Sequence, residues 1–193
     1  MVWVEQFLDI IEANINLKRK KSLNDIGSNL GQFWKGLQKR HLNIEYRGYD
    51  IEPLYISAAK KIFLELRKCL YLKDITKQRP FKADILVISA TLEHFEHLTP
   101  GLNNILESTK ELLILRTFLG NNSEKAIVKH DGASAYYPIN QYSFREVLGL
   151  FEKYKFEATI VKDRYTDSLP QYLRKGIVRT QYIIIGKKKD YSK

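Results

Sequence analysis

The sequence predicts an α/β fold built on a mostly parallel sheet, and three observations predict it. Ser22-Leu23-Asn24-Asp25-Ile26-Gly27-Ser28-Asn29-Leu30-Gly31-Gln32-Phe33 ends a short apolar run in a turn with two glycines and passes into an amphipathic helical pattern. Tyr49-Asp50-Ile51-Glu52-Pro53 then closes a second strand with a carboxylate about twenty residues on, the spacing of a βαβ nucleoside site. Asp84-Ile85-Leu86-Val87-Ile88-Ser89 is a near-continuous apolar run, as expected of a strand buried on both faces.

The remaining elements follow in order. Val4, Phe7, Leu8, Ile11 and Ile15 recur at helical spacing, predicting an amphipathic helix that lies on the sheet or over the cleft. With the basic run Lys18-Arg19-Lys20-Lys21 it forms a leading segment, 1–21, ahead of a single domain, 22–193. The first strand covers 22–26, and from Leu30 the residues Leu30, Phe33, Trp34 and Leu37 share one helix face. A second strand from Ile44 to Tyr49 carries Asp50 to its tip. Pro53 suits the first turn of the next helix, where its missing N–H is not needed, and Leu54, Ala58, Ile62 and Leu66 form the expected core stripe. Residues 69–72 make a short third strand and 84–89 the fourth. Thr99-Pro100 opens a helix by the N-cap and N1 preferences, and 111–118 is the fifth strand. Residues 119–141 form the one long irregular stretch, of a length that usually carries function. Ser143-x-x-Glu146 is a capping box before a helix buried through Val147, Leu150, Phe151 and Tyr154. Strands near 156–162 and 180–187 close the chain, separated by 163–179.

Bulk properties narrow the class. A length of 193 residues favours one domain, and 44% hydrophobic with 28% charged residues is ordinary for a soluble globular protein. Met1-Val2-Trp3-Val4-Glu5 lacks the basic start of a signal peptide, and no apolar run approaches membrane-spanning length. The lone Cys69 cannot form an internal disulfide and suits a reducing compartment, so the cytoplasm is the expected location. Of the net charge of +10, much sits in 18–21 and in Lys187-Lys188-Lys189, runs that read as solvated ends of elements. No aromatic-basic interleaving of an RNA platform is visible, so nucleic acid is the less favoured partner. Neither zinc-ligand spacing nor a P-loop occurs, which implies no metal and no nucleoside triphosphate.

The glycine turn suits a backbone that bends sharply beside a ligand, and the helix behind it offers unpaired N–H groups. Asp50 can accept hydrogen bonds from both hydroxyls of a ribose. A dinucleotide needs glycine at the middle of the turn for its pyrophosphate; Asn29 stands there, so a ligand with ribose and adenine but no phosphate fits better. Asp25-Ile26-Gly27-Ser28-Asn29-Leu30-Gly31 resembles the first motif of the class I S-adenosylmethionine-dependent methyltransferases: an acidic residue, an aliphatic one and a glycine-rich turn, here with asparagine for the central glycine.

The resemblance covers about Leu23 to Lys187. It implies a seven-stranded, mostly parallel, doubly wound sheet with an antiparallel C-terminal strand pair, the feature that separates these enzymes from nucleotide-binding dehydrogenases. It also implies S-adenosylmethionine as cofactor and methyl transfer to an oxygen or nitrogen of a small, anionic or sugar-like acceptor. The implied cofactor-binding residues are Asp25, Gly27, Ser28, Asn29, Gly31, Phe33, Asp50, Ile51, Asp74, Ile75, Ser89 and Ala90. Asp74 would meet the adenine amino group and Ile75 cover the ring, although Asp74 reads equally as the cap of a turn. Ala90-Thr91-Leu92-Glu93-His94-Phe95 resembles the segment after strand four in many small-molecule methyltransferases. There His94 could orient or deprotonate an acceptor hydroxyl; alternatively, Glu93 and His94 fix the loop by hydrogen bonds. The connection after strand five commonly helps to form the acceptor pocket, which makes His130, Tyr136 and Tyr137 the substrate candidates. Ser108-Thr109-Lys110 replaces the Pro-Gly-Gly frequent before strand five. Ser89-Ala90-Thr91-Leu92 stands where many base-amino methyltransferases carry Asn/Asp-Pro-Pro-aromatic. RNA or protein methylation is therefore the alternative activity, and a non-catalytic binding protein of this fold the alternative of a different class.

Overall fold

The computed structural model describes residues 1–129, 136–174 and 176–189. Its first half alternates strands and helices: α1 (Val2–Asn14), β1 (Lys21–Ile26), α2 (Gln32–Lys39), β2 (Ile44–Asp50), α3 (Pro53–Ile62), β3 (Leu70–Leu72), β4 (Ala83–Ser89), α4 (Leu98–Ser108) and β5 (Thr109–Gly120). The second half adds β6 (Ile127–Lys129), β7 (Tyr136–Pro138), β8 (Tyr142–Ser143), α5 (Phe144–Lys153), β9 (Phe156–Lys162), β10 (Gln171–Arg174), β11 (Ile177–Arg179) and β12 (Gln181–Lys188). The sheet order is β3-β2-β1-β4-β5-β12-β9, with the short β8 on β5 off this path. Every pair from β3 to β5 is parallel, whereas β12 runs antiparallel to both β5 and β9. The expected seven-stranded, doubly wound sheet with its antiparallel C-terminal pair is thus present. The winding reverses between β1 and β4, and ligands of such sheets bind at the strands' carboxyl ends beside that reversal.

Alternation along β4 explains its unbroken apolar run. Ile85 and Val87 pack on one face with α1, α2 and α3 through Phe7, Leu8, Ile11, Phe33, Leu37 and Ile56. Leu86 and Ile88 pack on the other with α4 and α5 through Leu102, Ile105, Val147 and Phe151. A strand covered on both sides has no polar position to spare.

Several boundaries and faces differ from expectation. The core face of α3 is Ile56 and Ala59, while Leu54 and Ile62 point to solvent. That helix is apolar on two sides, so periodicity alone cannot choose between them; the chosen side joins the core with Phe33, Leu37 and Leu66. Helix α4 is capped by His97 and starts at Leu98, which moves Pro100 inward within the first turn, where N–H groups still lack intrahelical partners. Only half of the capping box forms: Ser143 Oγ accepts from Glu146 N at 3.1 Å, but Ser143 N donates to Ser123 Oγ at 2.7 Å. The stretch 119–141 is not wholly irregular, since β6 and β7 pair antiparallel, and 163–179 contains the β10–β11 hairpin.

Helix α1 packs into the sheet's own core. Phe7 is fully buried, edge-on to Trp3 at 5.5 Å and to Phe33 at 6.1 Å, and Arg40 at the end of α2 gathers Glu5, Asp9 and Glu12 from α1. Phe7→Ala should cost about 3–5 kcal/mol, read as a lower urea midpoint of the whole cooperative transition. An unchanged main transition would mean that α1 is an appendage.

Candidate functional site

The turn after β1 is sewn to the end of β2. Gly27 N and Ser28 N both donate to Tyr49 O, at 2.8 and 3.0 Å. Asn29 N donates to Asp50 Oδ2 at 2.8 Å, and Glu52 N donates to Asp50 Oδ1 at 2.9 Å. Gly27, Asn29 and Gly31 all have positive φ (73°, 47° and 80°), so three residues in five take the left-handed conformation that L side chains resist. The two glycines also face protein. A Cβ on Gly27 would sit 2.0 Å from Thr91 Oγ1, and one on Gly31 2.8 Å from Leu66 Cδ1. Close packing against the short Thr91 side chain therefore demands glycine at 27, whereas at 31, where the contact is the flexible end of Leu66, the left-handed φ is the stronger demand.

The other residues expected to meet a cofactor divide into two groups. Asp50 is buried, at 8% exposure. Its carboxylate has about four lone-pair sites and spends one per oxygen on the N–H groups above. Ile51 beside it is exposed, and Ser89 and Ala90 close β4, with Ala90 at φ 51° donating to Arg116 O at 3.0 Å. In the second group the side chains are committed elsewhere. Ser28 lies against Gly48 of β2, and Phe33 and Ile75 are core residues. Asp74 caps its own turn, accepting from Thr76 N at 2.9 Å and Thr76 Oγ1 at 2.6 Å, with Lys77 Nζ at 3.2 Å. Against the upward push of burial, Thr76 and Lys77 hold its carboxyl below the ordinary range.

Asp25 is buried on the α1 side of β1, where Tyr46 Oη donates to its Oδ2 at 2.7 Å. Burial pushes this carboxyl up to about 7; the Tyr46 hydrogen bond opposes the shift and the charge of Asp50 adds to it. Asp25 is in register with Val87, and by the period of two Ser89 lies on the same face. Ser89 in turn neighbours Arg116 on β5. Arg116 is buried, ion-paired to Asp163 at 3.0 Å and hydrogen-bonded to Gln181, with Tyr165's ring 5.5 Å from its guanidinium carbon. Sequence reasoning missed Tyr46, Arg116 and Asp163. The available signal was the arginine inside the otherwise apolar run 111–118.

After β4, Leu92–His94 forms one 3-10 turn. Glu93 is buried, accepts from Thr117 Oγ1 at 3.0 Å, and is pushed upward by that burial; its carbonyl accepts from Asn140 N at 2.9 Å. His94 Nδ1 lies 2.8 Å from Pro138 O. Because a carbonyl only accepts, Nδ1 carries the proton, and Nε2 is left as the basic nitrogen. Tyr137 stands edge-on to the imidazole at 5.4 Å, so β7 brings one expected acceptor residue to His94. Tyr136 is exposed beneath Lys129 Nζ. His130 falls outside the described residues. Among the described residues no group of His, Cys, Asp and Glu is placed to hold a metal, and no helix is long and apolar enough to cross a membrane.

No protein-family profile matches this chain, and no curated protein matches it in sequence. Solved structures do match. Magnesium protoporphyrin IX methyltransferase from Synechocystis PCC 6803 with bound SAM is 15% identical, aligned over 96% of this chain and 78% of that one with a TM-score of 0.65. An S-adenosylmethionine-dependent methyltransferase from Clostridium acetobutylicum ATCC 824 is 13% identical over 97% and 91%, with a TM-score of 0.66. The N-terminal domain of EvdMO1, crystallised with SAH and D-fucose, is 11% identical over 98% and 84%, with a TM-score of 0.72. The fold is that of the class I S-adenosylmethionine-dependent methyltransferases. Within this methyltransferase fold, the end of the sheet that carries the β1 turn, Asp50, Ala90 and His94 is the carboxyl end of the parallel strands.

Asp25 provides a test by pH. Its ordinary value is 3.8 and its folded one about 7, so between them the folded chain keeps a proton that the unfolded chain has released. Stability should therefore fall as pH rises through this window and level off above it. Asp25→Asn should remove that part of the decline, so in urea unfolding the variant gains on the parent from pH 5 to about 7.5. Parallel profiles for the two proteins would contradict the buried, protonated carboxyl.

Proposed function

We propose that this chain is a cytoplasmic S-adenosylmethionine-dependent methyltransferase that acts on an oxygen or nitrogen of a small, anionic or sugar-like metabolite. The observation that carries the reading is Asp50, whose carboxylate faces the glycine turn, is held there by Asn29 N and Glu52 N, and retains lone pairs for two vicinal hydroxyls. The fold neighbours support the cofactor, since two of those described above were crystallised with SAM or SAH. One of them also held D-fucose, in keeping with a sugar-like acceptor. The unpaired Cys69 agrees with a reducing compartment.

S-adenosylmethionine supplies a methyl group already activated on a sulfonium, so the protein must chiefly align the acceptor and exclude water. In this reading Asp50 grips the ribose and Ile51 offers an apolar face beside it. Gly27, Asn29 and Gly31 contribute the shape of the turn, while Ser28, Phe33 and Ile75 support it from behind. The backbone of Ser89 and Ala90 bounds the crevice. His94, with Nδ1–H fixed on Pro138 O, accepts the acceptor's proton at Nε2, and Tyr137 steadies the ring. Tyr136 and His130 remain candidates for the acceptor side.

In isothermal titration the wild type should bind S-adenosylhomocysteine, and Asp50→Ala should weaken binding by about tenfold or more; unchanged affinity would remove the ribose contact. Incubation with methyl-labelled cofactor and fractionated extract should move label into the small-molecule pool. Label in RNA instead would replace the proposed acceptor class.

A further inference from the structure

The two basic runs that flank strands in the sequence lie at the same end of the sheet. Because β12 runs antiparallel to β5, its last residues lie beside the first residues of β5, with Lys187 in register with Leu112. The run 18–21 leads from the end of α1 into the start of β1, whose neighbour β4 is parallel to β5. Both runs therefore sit at the amino end of the parallel strands, opposite the end that carries Asp50 and His94. A cleft of about 490 Å³ opens there, with Ile15 and Leu112 as its apolar walls and Lys110, Lys187, Lys188 and Lys189 around them. That volume lies within the range of small-molecule sites.

Charge in the cleft is lopsided. Its one carboxylate, Glu111, is occupied by Lys21 at 2.5 Å, and Lys110 has Asp84 at 3.5 Å. Among the described residues Lys187, Lys188 and Lys189 form no ion pair. Lys188 Nζ sits 4.4 Å over the ring of Phe156; burial first, then Lys155 and Lys82, hold its pKa below the ordinary value. Lys18, Arg19 and Lys20 are exposed close by. A concave site lined by one sign of charge concentrates counter-ions, and lysines serve phosphate as point charges. Lys188 turns to the opposite face, over Phe156, whereas by the period of two Lys187 and Lys189 share the face of Ile183 and Ile15. Two unpaired ammoniums there can engage different oxygens of one polyanion, and a monoanion would leave one of them unmatched.

We infer that this cleft binds a small molecule bearing a diphosphate group, at a site separate from the methyl-transfer crevice. The inference is independent of the methyltransferase reading, since it rests on residues at the other end of the sheet.

The test is isothermal titration of inorganic pyrophosphate into the full chain at fixed ionic strength, beside orthophosphate and beside vesicles containing an anionic phospholipid. One saturable pyrophosphate site is expected, with orthophosphate about tenfold weaker. Lys187→Gln with Lys189→Gln should weaken pyrophosphate by about tenfold or more while the thermal midpoint stays unchanged. Absence of pyrophosphate binding, equal affinity for orthophosphate, or indifference to the double variant would each overturn the inference. So would vesicle binding with which pyrophosphate does not compete, since it would assign the charge to a lipid surface.

Discussion

The carboxylate of Asp50 is the tie on which this end of the molecule depends. It receives one N–H from the turn after β1 and one from the start of α3, while the carbonyl just before it receives two more from the same turn. The turn after β1 is thereby fixed to the end of β2, and the entry to α3 is fixed with it. The left-handed geometry of Asn29 is unfavourable for a residue with a Cβ, and the bond from its own N–H to Asp50 helps to offset that cost. This strand end thus inherits its shape from backbone groups.

The rest of the carboxyl end is arranged around that tie in two layers. On the α1 face Asp25, Ser89 and Arg116 occupy neighbouring strands, and the buried Arg116–Asp163 pair draws the segment after β9 over the strand ends. On the opposite face Glu93, Thr117 and Asn140 brace the turn that presents His94. Breaking one partner of such a buried polar set is costly because the other is left unsatisfied. The exposed His94 and the buried carboxylate of Asp50 are both carried on this frame.

What could be read from the sequence was local. The β1 turn with its glycines, the aspartate closing β2 and the doubly covered β4 all follow from short-range patterns, and all three were legible. Two kinds of feature were not. Side-chain direction within a turn depends on neighbours across the sheet: Ser28 turns to Gly48, and Ile75 enters the core, although both stand in motif positions. Long-range polar pairs leave no periodic trace, so Arg116 with Asp163 and His94 with Pro138 emerge only when the strands are assembled. The face of α3 belongs to the same class, since two apolar stripes compete and the one with Ile56 and Ala59 joins the core on the α1 side of the sheet.

The most direct measurement of the central claim is a titration of the isotope-labelled protein with S-adenosylhomocysteine, followed by amide chemical shifts. The account predicts the largest changes at Asn29, Gly31 and the amides of 50–52, with smaller ones at Ala90 and Thr91 and none at 187–189. A saturable response that spares the β1 turn and the end of β2 would contradict it.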